Sequence, residues 1–256
     1  MESNHKYKSV LITGGAQRIG KSISEFLANS GFNVAIQYNN SDENANRLKD
    51  QFKNSNIKFS LYKFDFEKGK DINRFYDKIY NDFGDIDILI NNASAFDFDT
   101  IKNSSEVIYN KHMNVNLKAP FFLSQSFVRY LGNRKGLIIN IIDQRVKNIT
   151  PYFTSYTLSK AALYTLTKSL ALSLAPKVRV NGISPGPTLM SKNQNKNQFK
   201  KQILRTPLKK QVRLSEINNA VSYLISNLCV TGEILTLDSG QSLGWAHSKS
   251  KVFTSD

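Results

Sequence analysis

Short runs that are apolar on both sides, alternating with longer amphipathic stretches, constrain this chain more than any other feature of its sequence. Val10-Leu11-Ile12, Ile88-Leu89-Ile90 and Ile138-Ile139 leave no polar side for water. Strands of that kind belong inside a sheet covered by helices on both faces, and their alternation with helical periods marks βαβ units and a parallel sheet. Strands are expected at Ser9–Thr13, Asn33–Gln37, Lys58–Phe64, Asp87–Asn91, Leu137–Ile142, Arg179–Ile183 and Glu233–Leu237. Helices are expected near Ile19–Asn29, Glu43–Phe52, Ile72–Phe83, Ser105–Leu131, Ser155–Leu174 and Ser215–Ser226. The predicted fold class is α/β, a doubly wound parallel sheet of seven strands. No Pro/Gly/Ser-rich linker and no internal repeat divides the 256 residues, so one domain spanning 1–256 is expected.

One stretch breaks the pattern. Ser191–Gln202 is crowded with Asn, Lys and Gln and lacks a clear apolar stripe. A mobile lid over a binding site, spanning residues 187–212, is the favoured reading, and a tolerated insertion is the other.

The net charge of +15 first suggests a nucleic-acid partner. However, the basic residues run from Lys6 to Lys251 and thicken only at Lys196–Lys210, and no compact nucleic-acid motif accompanies them. No nucleic acid is expected; a basic field equally suits an anionic cofactor and an anionic substrate. The single cysteine, Cys229, excludes an intramolecular disulfide and any multi-Cys zinc site, and no metal site is expected. Met1–Lys8 is polar without a signal-peptide core, and no run approaches the roughly 20 apolar residues that span a bilayer. A soluble, cytoplasmic protein without a membrane partner is the expectation.

The first strand runs into Thr13-Gly14-Gly15-Ala16-Gln17-Arg18-Ile19-Gly20 and then directly into a helix. Glycines at such a turn let the backbone approach a pyrophosphate, and the helix N-terminus supplies amide donors. Arg18 stands where the dinucleotide fingerprint usually has glycine, and its guanidinium can fork onto a phosphate. The second strand ends in Tyr38-Asn39-Asn40-Ser41, with no carboxylate before Asp42. An NAD site usually places an acidic residue here for the ribose hydroxyls. Its absence, with Arg18 added, points to a 2′-phosphate and hence to NADPH. Asp65, followed by Phe66 after the third strand, is placed to accept from the adenine amine or to close a surface turn.

Tyr156 and Lys160, spaced i, i+4, share a helix face. A neighbouring ammonium is expected to lower the tyrosine's pKa, ordinarily near 10, towards the working range. Asn91-Asn92-Ala93-Ser94 ends the fourth strand, Asn116 lies in Asn114-Val115-Asn116-Leu117, Asp143 ends the fifth strand, and Pro185-Gly186-Pro187-Thr188 follows the sixth. Strand carboxyl ends are where open α/β sheets bind ligands.

Together these motifs, with Thr231-Gly232 and Asp238-Ser239-Gly240 near the end, resemble the short-chain dehydrogenase/reductase family over essentially the whole chain. The resemblance implies a Rossmann-type fold, hydride transfer with a nicotinamide, and a homotetramer. Three departures narrow it. Arg18 replaces a glycine, Ser94 with Phe96 replaces the glycine usual after Asn-Asn-Ala, and Asp143 stands where most members carry a catalytic serine. All three are similar to the pteridine reductase branch, in which the arginine contacts phosphate, the phenylalanine stacks on the pterin and the aspartate works with the tyrosine.

That resemblance implies NADPH held by Gly14, Arg18, Ile19, Gly20, Tyr38, Asn39, Asn40, Ser41, Asp65, Phe66, Asn92, Ala93, Ser94, Tyr156, Lys160, Pro185, Gly186 and Thr188. It implies a pterin-type small molecule against Ser94, Phe96, Asp143 and Tyr156, with Asn116, Asp143, Tyr156 and Lys160 as the catalytic set and Asn116 ordering a water beside Lys160. Reducing a ring C=N bond means delivering a proton to nitrogen, which an Asp143–Tyr156 dyad can relay. A flat heterocycle can also stack on Phe96. The competing readings are core packing for Phe96 and a helix N-cap or turn role for Asp143. For the whole chain they are a carbonyl reductase of the same family and a catalytically idle NADPH- or nucleic-acid-binding protein. Two readings also stay open for the polar tail after Trp245: a disordered end, or an extension into a neighbouring subunit's site.

Overall fold

The computed structural model describes residues 7–69, 71–192 and 194–244. The tail from Trp245 onward and Met1–Lys6 lie outside the described residues.

Seven parallel strands form one sheet: β1 (Ser9–Thr13), β2 (Asn33–Tyr38), β3 (Phe59–Lys63), β4 (Ile88–Asn91), β5 (Gly136–Ile141), β6 (Val178–Pro185) and β7 (Ile234–Leu237). Their order is β3-β2-β1-β4-β5-β6-β7, so the winding reverses between β1 and β4. This is the doubly wound Rossmann arrangement, with its ligand crevice expected at that reversal.

The apolar runs divide their side chains between two cores. Val10, Ile12, Ile88, Ile90 and Ile139 face one core, which α1 (Arg18–Asn29), α2 (Asp42–Gln51) and α8 (Leu214–Ser226) close with Ile23, Leu27, Leu48, Ile217, Val221 and Leu224. Leu11, Leu89 and Ile138 face the opposite core, which α3 (Ile72–Phe83), α5 (Ala119–Leu131) and α6 (Thr154–Leu174) cover with Tyr76, Ile79, Leu123, Phe127 and Ala171. Burial on both sides is what fixed the composition of these strands. Among the described residues no helix is long and apolar enough to cross a membrane.

Two expectations need correction. The long helix read at Ser105–Leu131 is two helices, α4 (Glu106–Met113) and α5, joined by a π-turn over Asn114–Lys118. There the N–H of Ala119 reaches back five residues to the Asn114 carbonyl, and the next residue, Pro120, has no N–H with which to restore the α-helical ladder. The stretch Ser191–Gln202, read without regular structure, contains most of α7 (Lys196–Leu204). Asn195 and Gln198 begin it with a reciprocal capping box, and no residue of α7 is buried.

Candidate active site

At the end of β1 the chain turns through Gly14, whose φ of +62° lies in the left-handed region that favours glycine. A Cβ on Gly20, in the first turn of α1, would fall 2.1 Å from the Gly14 carbonyl oxygen, so the turn and the helix touch through bare backbone. The Thr13 hydroxyl accepts from the N–H groups of Asn92 (2.9 Å) and Ala93 (3.0 Å). Asn92 Nδ2 donates to the carbonyls of Thr13 (2.9 Å) and Gly14 (3.2 Å). Both amide hydrogens of Asn92 therefore hold the turn in shape. Gln37 is a second latch that sequence reading missed: its Oε1 accepts from the Gly14 N–H at 2.9 Å and its Nε2 donates to the Phe64 carbonyl at 2.6 Å. The available signal was a lone polar residue inside an otherwise apolar strand.

Arg18, itself left-handed at φ +54°, donates from Nη2 to the Leu189 carbonyl at 3.4 Å. It thereby joins the glycine turn to the segment after β6. Beyond β2, Tyr38, Asn39 and Ser41 are half-buried and Asn40 is exposed, and the Ser41 side chain makes no capping hydrogen bond. Asp42, the first carboxylate there, is paired with Lys63 at 2.8 Å. Asp65 Oδ1 accepts from the Glu67 N–H at 2.9 Å, the local turn expected as one of its two readings. Phe66 is buried, its ring packed against Phe64 and Phe75, so its side chain is spent on the core.

Three strand ends away, Tyr156 Oη donates to Asp143 Oδ2 at 2.8 Å. Asp143 also begins the 3₁₀ turn Gln144–Val146, accepting from the Arg145 N–H at 2.8 Å, so its capping and pairing roles coexist. Lys160, 2% exposed, points its ammonium at the Ile141 carbonyl, 2.8 Å away. Burial holds the Asp143 carboxyl above its ordinary range despite Arg145 and Lys160 nearby. Burial also pulls Lys160 down to about 8, against the charge of Asp143.

The tyrosine's environment overturns the expectation from spacing. Burial first, then the Asp143 charge, holds the Tyr156 hydroxyl well above its ordinary pKa. Lys160 is bonded to a carbonyl, with Nζ 5.9 Å from the phenol ring centre, and does not offset those two effects. Tyr156 is therefore kept as a proton donor. Asn116, fully buried in the π-turn, donates from Nδ2 to the Ala95 carbonyl (3.0 Å) and the Ser159 hydroxyl (2.9 Å), and its Oδ1 accepts from the Ala95 N–H (2.8 Å). No side-chain donor of Asn116 is left for a water beside Lys160.

Over this pair stands an aromatic wall. Phe96 is 38% exposed, which excludes plain core packing; it stacks on Phe153 (4.4 Å, 5°) and meets Tyr156 edge-on (4.6 Å, 79°). The Arg145 guanidinium lies 4.7 Å from the Phe153 ring. Ser94, also exposed, donates from Oγ to the Ala95 carbonyl at 3.3 Å, and its nearness to Tyr156 favours the ionised phenol, an effect that burial and Asp143 outweigh.

The short chain dehydrogenase family matches residues 8–201. The chain belongs to that family. An alternative dihydrofolate reductase 1 (FolM) from Brucella canis, solved in complex with NADP, is 38% identical, with 95% of this chain and 97% of that one covered at a TM-score of 0.90. A metagenomic blue fluorescent protein solved with NADPH is 25% identical, with 91% and 97% covered at 0.85. Among curated relatives, a 3-oxoacyl-[acyl-carrier-protein] reductase from Buchnera aphidicola is 33% identical over 241 residues, 91% of this chain and 96% of its own.

This short-chain dehydrogenase also carries a buried polar network under the wall. Ser155, next to Tyr156, donates its hydroxyl to Asp99 Oδ2 at 2.5 Å and lies 2.7 Å from His112 Nδ1. His112 Nε2 accepts from the Asp97 N–H at 3.0 Å, which leaves the ring proton on Nδ1, directed at Ser155. Burial pushes the Asp99 carboxyl up, but hydrogen bonds from Ser155 and Ser104 outweigh it and hold the group below its usual range. The Asp99 carbonyl also accepts from the Phe153 N–H at 2.7 Å. The network thus ties the Phe96 segment to the first turn of α6. No spacing in the sequence singles out these three residues.

On the far side of the crevice, Pro185 ends β6, the Gly186 N–H bonds the Leu237 carbonyl at 2.8 Å, and Thr188 is buried.

Proposed function

We propose that this short-chain dehydrogenase is an NADPH-dependent reductase acting on the ring of a reduced or oxidised pterin. The observation that carries the reading is the Tyr156–Asp143 hydrogen bond, with a protonated tyrosine beneath an exposed aromatic wall. The glycine turn fits the cofactor: Gly14 and Gly20 let the turn and the start of α1 close to backbone contact, which offers the helix's N-terminal amides to a diphosphate, and Arg18 stands at its edge. The neutral end of β2, where Asp42 is already paired to Lys63, favours a 2′-phosphate over bare ribose hydroxyls.

Bound NADPH supplies the hydride. Phe96, backed by Phe153, holds the flat ring. Tyr156 delivers the proton to the ring nitrogen from Oη. Asp143, raised by burial, can carry a proton and return it to Oη, and the Lys160 ammonium limits the charge that builds up there. Gly14, Arg18, Ile19, Gly20, Tyr38–Ser41, Asp65, the Phe66 backbone, Ala93, Pro185, Gly186 and Thr188 line the proposed cofactor path. The excursion at 187–212 acts as the lid. A cytoplasmic homotetramer belongs to the same reading.

Carbonyl reduction is the second reading, supported by the likeness to 3-oxoacyl-carrier-protein reductases. It uses the same Tyr156 and Lys160 but gives Asp143 no task. Loss of NADPH absorbance should be followed with dihydrobiopterin, dihydromonapterin, dihydrofolate and a 3-oxoacyl thioester, with Tyr156→Phe as control. Turnover of the dihydropterins, abolished in the control, supports the proposal. Turnover of the thioester alone transfers the chain to carbonyl chemistry.

A further inference from the structure

The excursion after β6 closes on itself. It leaves at Pro187 and returns at Val212, whose N–H bonds the Pro187 carbonyl at 3.0 Å, while Gln211 Nε2 donates to the Thr188 carbonyl at 2.6 Å. Between this neck and α7 lies a cavity of about 330 Å³ lined by Leu189, Met190, Phe199 and Ile203, with Lys196 and Lys200 at its edge. Arg18 of the glycine turn reaches the same segment through the Leu189 carbonyl, so the cavity lies next to the proposed cofactor path.

Its charge is one-sided. Residues 187–215 contain eight lysines and arginines and no carboxylate, whereas the whole chain has 35 basic and 20 acidic residues. All eight are exposed, and among the described residues only Arg213 has an ion-pair partner, Glu216. Lys196 and Lys200 are i, i+4 on α7, a like-charged spacing that works against the helix until an anion sits between them. An open apolar groove with a cationic edge is complementary to an amphiphile: an apolar or aromatic linker ending in carboxylate or phosphate.

We infer that this cavity is a tail site, which selects substrates whose reducible head carries an anionic extension, with Lys196 and Lys200 binding the anion. The inference rests on the pterin reading for the identity of the head. Phe96 and Tyr156 would take the ring, and the tail would run past Arg18 into the excursion.

The test compares wild type with Lys196→Gln/Lys200→Gln and Lys196→Glu/Lys200→Glu, all loaded with NADPH. The substrates are dihydrobiopterin (neutral tail), dihydrofolate (benzoyl-glutamate tail) and dihydroneopterin triphosphate (phosphate tail). In the Gln variant, the ratio of kcat/KM for a tailed substrate to that for dihydrobiopterin should fall roughly tenfold, the loss expected for one charge-assisted hydrogen bond. It should fall further in the Glu variant, with the change residing in KM. A fall with dihydrofolate alone identifies a carboxylate, and a fall with the triphosphate alone a phosphate. Unchanged ratios in an enzyme that reduces all three overturn the tail site. If wild type reduces none of them, the pterin reading fails, and calorimetric binding of p-aminobenzoylglutamate then decides the site by itself. Binding to wild type but not to the Glu variant keeps the site, and no binding removes it.

Discussion

Tyr156 Oη donates a hydrogen bond to Asp143 Oδ2 across 2.8 Å, in a setting where burial holds the tyrosine well above and the aspartate above their ordinary pKa values. A serine in place of Asp143 could polarise a carbonyl but could not hold a proton for transfer. Asp143→Asn should therefore keep the Tyr156 hydrogen bond and NADPH affinity while lowering dihydropterin turnover by roughly a hundredfold or more, the range of a lost acid–base group. Asp143→Ser should lose pterin turnover as well and retain any carbonyl activity. Single-turnover rates with NADPH titrations check both.

Lys160 gives a pH signature of two parts. Its ammonium titrates at about 8 in the folded protein, against 10.5 for a free side chain. Below 8 both states are charged. Between 8 and 10.5 the unfolded chain binds more protons, so this group makes stability rise with pH in that window. Activity should move the other way: kcat/KM for NADPH, measured at saturating substrate, should fall above about 8 as the ammonium is lost. Thermal melts and rate profiles across the same pH series should therefore diverge.

The Asp99–Ser155–His112 network should behave as a support for the wall. Ser155→Ala removes a buried hydroxyl from both partners and should destabilise by about 1–3 kcal/mol. At this chain length that lowers the Tm by about 2–4 °C per kcal/mol. Because the network positions Phe96 and Phe153, KM for the ring substrate should rise while NADPH affinity holds. A variant that melts earlier with kinetics unchanged would reduce the network to a fold element.

Cofactor preference should respond at Asn40. Asn40→Asp places a carboxylate on an exposed position beside the expected 2′-phosphate, and NADPH affinity should drop about tenfold while NADH affinity holds. Gly20→Ala, in contrast, should abolish binding of both, since its methyl would lie 2.1 Å from the Gly14 carbonyl oxygen. Fluorescence titration of both dinucleotides separates the two effects.

Much of this was legible in the residues themselves. β1 and α3 match the expected limits residue for residue, because apolar runs bounded by glycine or by a capping aspartate leave little freedom. Tyr156 is legible through its i, i+4 spacing to Lys160 on α6, and Asp143 through its place just after the fifth strand. The direction of the tyrosine's pKa was not legible: i, i+4 spacing puts Lys160 on the right face but cannot tell that Ile141 takes its ammonium. Gln37, Phe153 and His112 escaped for the same reason, since their partners lie across the fold. The helix in 196–204 escaped because its start depends on the Asn195–Gln198 capping box rather than on an apolar stripe.

The neck formed by Val212 and Gln211 on Pro187 and Thr188 has an evolutionary consequence. Residues 190–205 can be lengthened, shortened or exchanged without altering where β6 ends or α8 begins, because the neck's hydrogen bonds, the Arg18–Leu189 bond and those of Leu208 and Lys210 to Ser239 lie outside them. Substrate range and scaffold integrity are thereby placed on separate parts of the chain. A descendant could acquire a new specificity in one recombination event while inheriting its cofactor machinery intact.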